Sequence, residues 1–437
     1  MRIIHTSDWH LGQYFYGKSR ADEHQKFLHW LIIQAQTHNV DAIIVAGDIF
    51  DTATPPSYAR KMYFNFISEL QALDCQLIIL AGNHDSASML AESKSLLSSL
   101  STHVVANVTD VSIASNLSDQ VFTLHAREGN AVAVICAVPY IRPRDVITSK
   151  EGQSAGDKSK SLQQAINHHY QYLYQYAKKL VKKSGLNLPI IATGHLTAIG
   201  ASVSDSVREI YIGTLEALSS NNFPPADYIA LGHIHRAQRV GKTEHIRYSG
   251  SPIPLSFDEA KQVKRVLMVA FKDSELDTIT DLNVPCFQPL AMVKTSIENL
   301  VSDIDALVSE QQEKGQLSDS TLNKLWLDIE LLDSDQLSDL QSKIITLVKD
   351  FPVEVLRVRR EKQLKNYVNR QQVECSTLNE LTLDEVFLSR LNQEGWLAKA
   401  TSDQQQKAEI EQRKNKLHTL FKAIVAQTQE QEMKEHN

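Results

Sequence analysis

The sequence lacks the features of a secreted, disulfide-bonded or membrane-spanning protein. Its 4 cysteines lie far apart and form no C-x-x-C pair, which argues against both a zinc knuckle and a disulfide framework. No apolar run approaches the roughly 18–20 residues of a membrane span. The first residues predict a strand, not a basic segment with an apolar run and a cleavage site. We therefore expect no secretory signal, no membrane partner and a location in the reducing cytoplasm.

An excess of basic charge is also absent. The chain has 45 Lys and Arg residues against 52 Asp and Glu residues, a net charge of −7. This balance argues against a protein that coats nucleic acid through its bulk charge. A local basic groove stays open, because binding depends on where the charges lie. At 437 residues the chain is too long for one compact core, so two or three domains are expected.

The first hundred residues alternate between strand and helix patterns. Residues 43–45 and 77–80 are short continuous apolar runs, which are typical of strands buried on both faces. The segments 21–39 and 57–73 carry apolar residues at helical spacing. This β-α-β-α-β order predicts an α/β fold with a largely parallel sheet and right-handed crossovers.

Changes of pattern divide the chain into three parts. The first domain is predicted to cover residues 1–277, with strands at 246–249 and 266–271 that close a second sheet. Residues 289–360 predict a small β-α-β-α-β capping domain, in which Leu325–Leu331 alternates apolar and polar residues so that one face should be wet. Residues 361–437 form a polar, helical tail whose two short amphipathic patches are too small for a core of their own. We expect this tail to dock on a partner.

Ligand-type side chains follow several of the predicted strands. Because ligands bind at the carboxyl ends of the strands in open α/β sheets, we expect these side chains to converge on one metal centre. Carboxylate oxygen, amide oxygen and neutral imidazole suit hard or borderline divalent ions, and Asp48 could bridge two of them at about 3.5–4 Å. The candidate ligands are Asp8, His10, Asp48, Asn83, His195, His233 and His235.

His84 and Asp85 receive a different role, because they directly follow the amide ligand. An imidazole held by a carboxylate is arranged to donate a proton to a leaving alkoxide, or to stabilise charge on phosphorus oxygens. Each motif alone has an ordinary structural explanation. A single Asp-x-His at a strand end is usually structural, and Gly-Asn-His could be a turn with a left-handed Asn. The prediction depends on the whole ordered set.

The order of these motifs resembles the calcineurin-like metallophosphoesterases. Residues 7–12 (SDWHLG), 46–51 (AGDIFD), 80–86 (LAGNHDS) and 250–252 (GSP) are similar to the Mre-family DNA repair nucleases. The length, capping domain and tail resemble the SbcD family of bacterial nuclease subunits. The resemblance implies a two-sheet β-sandwich flanked by helices. It also implies a dinuclear centre, which holds Mn²⁺ most often and Mg²⁺ as an alternative.

The activity implied by this resemblance is that of a manganese-dependent double-strand exonuclease. Such an enzyme also nicks single strands and opens DNA hairpins in repair, recombination and replication, on the nucleoid. It acts as a homodimer with an SbcC-type ATPase, in a heterotetramer of two nuclease and two ATPase subunits, whose coiled coils the tail grips. The tail residues assigned to this contact are Leu383, Val386, Phe387, Leu391, Leu420, Phe421 and Ile424. A tail that only dimerises is the open alternative.

Basic residues outside the metal motifs are candidates for phosphate contacts, which position a strand without reading its sequence. They are Lys18, Arg20, Arg357, Arg359, Arg360, Lys362 and Lys365. An ordinary solvated face explains each of them equally well. Two other functions also stay open: a metallophosphoesterase of small or protein phosphates, and a non-catalytic scaffold for the ATPase. The capping domain and tail favour the nuclease over the first, and His84 favours it over the second.

Overall fold

The computed structural model describes residues 1–108, 114–147, 155–198, 201–202, 218–315, 317, 324–332, 340–360 and 417. The chain divides into two units, Met1–Lys362 and Gln363–Asn437. The architecture below is that of the first unit. Among the described residues, no helix is both long enough and apolar enough to span a membrane.

The described elements are mostly short strands connected by helices. The strands are β1 (Arg2–Thr6), β2 (Tyr14–Phe15), β3 (Lys18–Ser19), β4 (Ala42–Val45), β5 (Gln76–Leu80), β6 (Thr102–Val105), β7 (Val121–His125), β8 (Ala131–Cys136), β9 (Ile190–His195), β10 (Tyr228–Gly232), β11 (Gln238–Arg239), β12 (Ile246–Tyr248), β13 (Arg265–Lys272), β14 (Glu275–Asn283), β15 (Leu290–Thr295), β16 (Leu325–Leu331) and β17 (Val353–Arg360). The α-helices are α1 (Ala21–Thr37), α2 (Ser57–Gln71), α3 (Ala87–Glu92), α4 (Lys94–Ser98), α5 (Pro143–Val146), α6 (Ala155–Ser184), α7 (Leu300–Glu313) and α8 (Leu340–Val348). Short 3₁₀ helices cover Ala114–Asp119, Ser220–Asn222 and Phe257–Glu259.

Two six-stranded sheets form the body of the protein. The first has the order β14-β13-β1-β4-β5-β6 and the second β11-β12-β10-β9-β8-β7. Strands β1, β4, β5 and β6 are parallel, as the alternating pattern predicts. The sheets stack face to face, so the expected two-sheet sandwich is confirmed.

The placement of β13 corrects one expectation. This strand does not close the second sheet with β12. It pairs antiparallel with β1 in the first sheet, with Val269 opposite Ile3. The reason is that β13 is apolar on both faces: Val266 packs under the helices, whereas Leu267 and Phe271 pack between the sheets. Only a position between neighbouring strands and two covering layers buries both faces. The first sheet continues through β14 to Asn283, past the proposed domain end at Asp277.

Alternate residues of each buried strand fill two different apolar layers. In the first sheet, Ile44 and Ile78 pack against the second sheet, whereas Ile43 and Ile79 pack under α1 and α2. Helix α6 covers the outer face of the second sheet. Because every second side chain enters a different core, the strands read as unbroken apolar runs. This layering carries the carboxyl ends of the strands of both sheets to one edge.

A buried histidine connects the two sheets. The Nε2 of His5 on β1 lies 3.1 Å from the carbonyl oxygen of Leu231, and its Nδ1 lies 2.9 Å from the hydroxyl of Tyr228 on β10. A carbonyl only accepts, so Nε2 carries the hydrogen and the Tyr228 hydroxyl donates to Nδ1. Burial lowers the pKa of His5 to about 3. The ring is therefore neutral, and it accepts one hydrogen bond and donates one between the sheets.

Removing the Tyr228 hydroxyl is expected to lower stability. In Tyr228→Phe the buried Nδ1 of His5 loses its donor, which costs about 1–3 kcal/mol. Thermal unfolding should show a lower midpoint for this variant. Tyr172→Phe is the matched control, because the Tyr172 ring is 38% exposed, and its midpoint should not change. Equal midpoints for the two variants would contradict a structural role of the His5–Tyr228 contact.

The capping domain is a parallel sheet of β15, β16 and β17 with α7 and α8 against it. The expected wet face of β16 is wrong, because Trp326 and Asp328 are both buried. Trp326 stacks on Phe15 of the first domain, with ring centroids 5.9 Å apart. Arg359 covers Asp328, with its Nη2 2.8 Å from the carboxylate. The polar alternation of β16 therefore marks a face that is covered by other parts of the chain.

Candidate metal centre

Five loops that follow strand ends bring the predicted ligands together. Their histidine and carboxylate atoms form three groups in which all ligand atoms lie within 4.8 Å of one another. These groups are Asp8, His10 and His235; His10, Asp48 and His84; and Asp48, His195 and His233. His10 and Asp48 each belong to two groups, so the three groups are one continuous cluster. Asn83 completes the set, since its Oδ1 lies 3.0 Å from His195 Nε2 and 2.9 Å from His233 Nδ1.

The backbone at this cluster is held in an unfavourable conformation. The φ angles of Asp8, His10, Asp48 and His233 are 54°, 47°, 51° and 91°. They lie in the left-handed region, which residues other than glycine rarely adopt. Backbone hydrogen bonds between the loops hold two of them, from Asp8 N to the Gly47 oxygen and from His10 N to the Asp48 oxygen. Strain of this kind is characteristic of functional sites. It turns successive side chains of one loop towards the same pocket.

Glycines precede the ligands because the loops nearly touch. A Cβ on Gly232 would lie 1.9 Å from the carbonyl oxygen of Ala46, and a Cβ on Gly82 would lie 2.2 Å from the backbone nitrogen of Asp48. Neither backbone atom can move without moving a ligand loop. The glycines before Asn83 and His233 are therefore required by the close packing of the ligand loops.

Adding one methyl group at Gly232 is expected to damage both the fold and the metal centre. Overpacking of this kind costs about 1–3 kcal/mol or more, and the shift would separate His233 from Asp48. Gly129→Ala is a suitable control, because its φ of +84° is strained but nothing lies within 4 Å of the added Cβ. Thermal unfolding and Mn²⁺ titration should show a large loss for Gly232→Ala and only a small stability loss for Gly129→Ala. Similar results for both variants would exclude the close approach as the reason for the glycine.

Hydrogen bonds at Nδ1 fix three imidazoles of the cluster, and in His10 and His195 this leaves Nε2 for an ion. The Nδ1 atoms of His195 and His84 lie 2.8 Å from the carbonyl oxygens of Ala46 and Asp51. That of His10 lies 3.2 Å from Asp51 Oδ1. Because these oxygens accept, each Nδ1 carries a hydrogen, and Nε2 keeps a lone pair whenever the ring is neutral. His10 Nε2 is buried without a hydrogen-bond partner among the described residues, as expected of an atom that coordinates a metal ion. The residues present therefore fit divalent ions.

The electrostatics of the cluster favour positive charge. Burial lowers the pKa of His10, but Asp51, Asp48 and Asp8 outweigh it and raise the pKa to about 9. Burial is likewise outweighed at His195, chiefly by Asp48, which raises that pKa to about 9. Burial would raise the pKa of Asp48, yet His195 and His10 beside it hold it well below the usual range. Without metal ions, protons on imidazoles neutralise the carboxylates, and cations would take their place.

The structure corrects the role of Asp85. Its carboxylate does not hold the His84 ring, which instead donates to the carbonyl oxygen of Asp51. Asp85 accepts three backbone N–H groups, those of Gly82, Ile49 and Phe50, at 2.8, 3.1 and 2.9 Å. It therefore joins the loop after β5 to the loop after β4 and shapes the site without facing the reaction. The residue that sequence reasoning missed is Asp51, which orients both His10 and His84. Its signal is a second carboxylate in the same AGDIFD motif.

The predicted DNA contact at Arg20 is wrong. The guanidinium is buried and forms a bidentate ion pair with Glu23, at 2.6 and 2.7 Å. It also donates to the carbonyl oxygen of Pro254. A phosphate cannot reach this side chain without displacing a buried carboxylate. Arg20 therefore fixes the start of α1 against the loop after β12.

Three other predicted DNA contacts lie where the β2–β3 hairpin meets β17. Lys18 pairs with Glu354 at 2.5 Å, and Arg359 pairs with Asp328. Arg357 donates to the Tyr16 hydroxyl at 2.8 Å. Only Arg359 is held by a buried carboxylate, because the Glu354 partner of Lys18 is partly exposed and the Tyr16 partner of Arg357 is uncharged. The Arg360 side chain, Lys362, Lys365 and the seven tail residues from Leu383 to Ile424 lie outside the described residues.

Comparison with known proteins matches both halves of the chain. The family model described as calcineurin-like phosphoesterase matches residues 1–237. The model described as type 5 capsule protein repressor C-terminal domain matches residues 286–395. The SbcD subunit of the nuclease SbcCD of Escherichia coli strain K12 is 50% identical over 391 residues, which are 90% of this chain and 92% of that protein. Its namesake in Bacillus subtilis strain 168 is 29% identical over 342 residues, 77% of this chain and 81% of that protein.

Proposed function

Because this chain belongs to the calcineurin-like phosphoesterases, and within them to the SbcD family of nuclease subunits, we propose that it hydrolyses phosphodiester bonds of DNA as the nuclease subunit of an SbcCD-type complex. The observation that carries this proposal is the continuous cluster of three histidine–carboxylate groups joined through His10 and Asp48. Such a cluster suits two divalent ions. The enzyme is a metal-dependent phosphodiesterase.

The proposed ions are two Mn²⁺, with Mg²⁺ as the second choice. Imidazole donors suit Mn²⁺ better than Mg²⁺, which prefers oxygen ligands. One ion would be held by Asp8, His10, Asp48 and His235, and the other by Asp48, Asn83, His195 and His233, in line with the observed groups. When bound, the pair lowers the pKa of a water molecule and stabilises the attacking and leaving oxygens of the displacement.

His84 is the proposed catalytic residue of the chain itself. Its Nδ1 is fixed on the Asp51 carbonyl at 2.8 Å, so Nε2 is the atom that can meet the substrate. Burial, with the neighbouring His10, lowers the pKa of the His84 imidazole, although Asp48 opposes this shift. A lowered pKa makes the imidazolium a stronger acid, so a His84 ring that carries a proton on Nε2 would give it up readily. His84 would thus protonate the leaving alkoxide or donate to a phosphate oxygen.

The proposed substrates are the ends of double-stranded DNA, together with single strands and hairpins that the enzyme cuts internally. A homodimer of this chain would assemble with two SbcC-type ATPase subunits on the nucleoid in the cytoplasm. The relative that is 50% identical is named as a subunit of such a complex, and the second family match reaches residue 395, into the tail. The Lys18 and Arg357 side chains on the exposed hairpin junction would contact phosphates.

A turnover assay tests the proposal against its alternatives. Purified protein with Mn²⁺ is given a blunt duplex, a hairpin duplex and a small phosphodiester, with and without the ATPase partner and ATP. We expect metal-dependent cleavage of both DNA substrates, faster with the partner and ATP. Cleavage of the small ester alone would indicate a different phosphoesterase. Absence of all cleavage, with both ions bound and the partner present, would indicate a scaffold.

A further inference from the structure

His235 is unlike the other imidazoles of the metal centre, because the carboxylate facing its Nδ1 is completely buried. Its Nδ1 lies 3.3 Å from Oε1 of Glu259, whose side chain has an exposed fraction of 0%. Glu259 ends the 3₁₀ turn Phe257–Glu259, 24 residues further along the chain. Nothing in the sequence around His235 (residues 232–235, GHIH) indicates this partner.

Glu259 cannot turn away from His235, because its other oxygen is also occupied. Oε2 accepts from Lys264 Nζ at 2.6 Å, from Leu255 N at 3.1 Å and from Ser251 Oγ at 3.3 Å. With three donors on Oε2, the carboxylate plane is fixed and Oε1 stays directed at the imidazole. The geometry is that of a carboxylate–imidazole pair that orients a metal ligand.

Lys264 holds the backbone of the same ligand. Its Nζ is buried and donates to the His235 carbonyl oxygen at 3.1 Å. The loop after β12 closes over this carbonyl as well, since a Cβ on Gly250 would lie 2.8 Å from it and Ser251 N donates to it at 3.1 Å. The ring and the main chain of His235 are thus fixed by one buried ion pair and one tight loop.

The turn that carries Glu259 is itself anchored on the capping domain. Phe257 packs against Phe15, with ring centroids 4.9 Å apart, and shares a buried cluster with Leu290 and Trp326 of the capping domain. Glu259 therefore sits between a metal ligand on one side and the domain junction on the other.

Stability alone does not account for this arrangement. Burying two charges costs solvation that their attraction often only balances, so apolar residues of similar volume are commonly as stable. We propose that Glu259 is the positioning residue of His235, with Lys264 as its counter-charge: it accepts the Nδ1 hydrogen and so presents Nε2 to an ion. The inference rests on the proposed function in one respect, that the cluster binds two divalent ions.

The test compares two double variants that differ only in a hydrogen-bond acceptor. Glu259→Gln with Lys264→Met keeps an oxygen for the Nδ1 hydrogen, whereas Glu259→Met with Lys264→Met does not, and neither leaves a buried charge. Mn²⁺ binding to the full chain without DNA is followed by the EPR signal of the free ion. We expect one of the two ions to bind about 10–100-fold more weakly to the Met/Met variant. Binding to the Gln/Met variant should stay near wild type.

A control and a fallback keep the outcome decisive. Asp328→Leu with Arg359→Met removes the ion pair of a buried carboxylate in the capping domain and should leave both binding events unchanged. Equal binding isotherms for the Gln/Met and Met/Met variants would overturn the proposal. Should the double variants not fold, Glu259→Gln and Glu259→Met are compared in the same way, since both remove the negative charge beside Lys264. A protein that binds both ions as expected but cuts no DNA would refute the proposed function and leave this inference standing.

Discussion

Replacing His84 by alanine is expected to lower the nuclease activity about 10²–10⁴-fold and to leave both metal ions bound. The lost group is the proposed proton donor, whereas the contact that supports the candidate metal centre is made by the His84 backbone. Its N–H donates to Asp48 Oδ1 at 2.9 Å, and this bond survives the substitution. Cleavage of a hairpin duplex and an Mn²⁺ binding isotherm, measured on the same preparation, check the two halves of the prediction.

Asp85→Asn is the informative control for His84→Ala. An amide has one oxygen where the carboxylate of Asp85 uses two to accept three backbone N–H groups. At least one of these buried groups loses its acceptor, at a cost of about 1–3 kcal/mol. We expect a lower unfolding temperature and weaker Mn²⁺ binding, neither of which occurs in His84→Ala. Activity near wild type in His84→Ala would refute its catalytic role.

Replacing Asp48 by alanine is expected to abolish activity, because it weakens the binding of both ions at once. Its carboxylate lies 3.2 Å from His195 Nε2 and 3.6 Å from His10 Nε2, so it belongs to both halves of the cluster. Loss of the metal pair removes several kcal/mol of transition-state stabilisation, which corresponds to more than about 10³-fold in rate. The Mn²⁺ isotherm should lose both binding events, and hairpin cleavage should fall to background.

The control for Asp48→Ala is the removal of a carboxylate elsewhere on the first domain. Asp22→Ala suits this purpose, because Asp22 pairs with Lys26 on the surface and is 79% exposed. Surface pairs of this kind contribute little, so both ion binding and cleavage should be unchanged. If Asp48→Ala kept one ion at wild-type affinity, Asp48 would not be shared between the two ions.

Position along the sequence explains which contacts could be predicted. His10, Asp48, Asn83 and His233 each follow a strand, and the carboxyl ends of parallel strands share an edge. Their convergence is therefore a consequence of local pattern and topology. Asp85 shows where the pattern misleads. It is adjacent to His84 in sequence, but its carboxylate oxygens also accept hydrogen bonds from the backbone of another loop. Adjacency along the chain does not predict these hydrogen bonds.

Charge patterns were a weaker guide than strand ends. The sequence shows Arg20 as a basic residue after a ligand loop, but its carboxylate partner Glu23 stands one helical turn further on. Arg359 meets Asp328 across two strands of the capping domain. A basic side chain is available to DNA only if it does not already form an ion pair with a buried carboxylate. That condition depends on packing.

The amino-acid order by itself determined the alternation of strands and helices and the set of candidate metal ligands that converge at one edge. It could do so because apolar periodicity is local, and because each ligand is placed by the end of its own strand. Only the tertiary structure decided the sheet to which β13 belongs, the partner of Asp85 and the buried Glu259–Lys264 pair behind His235. Apolar periodicity and strand ends do not determine those contacts, which form only when strands and loops from different parts of the chain pack together.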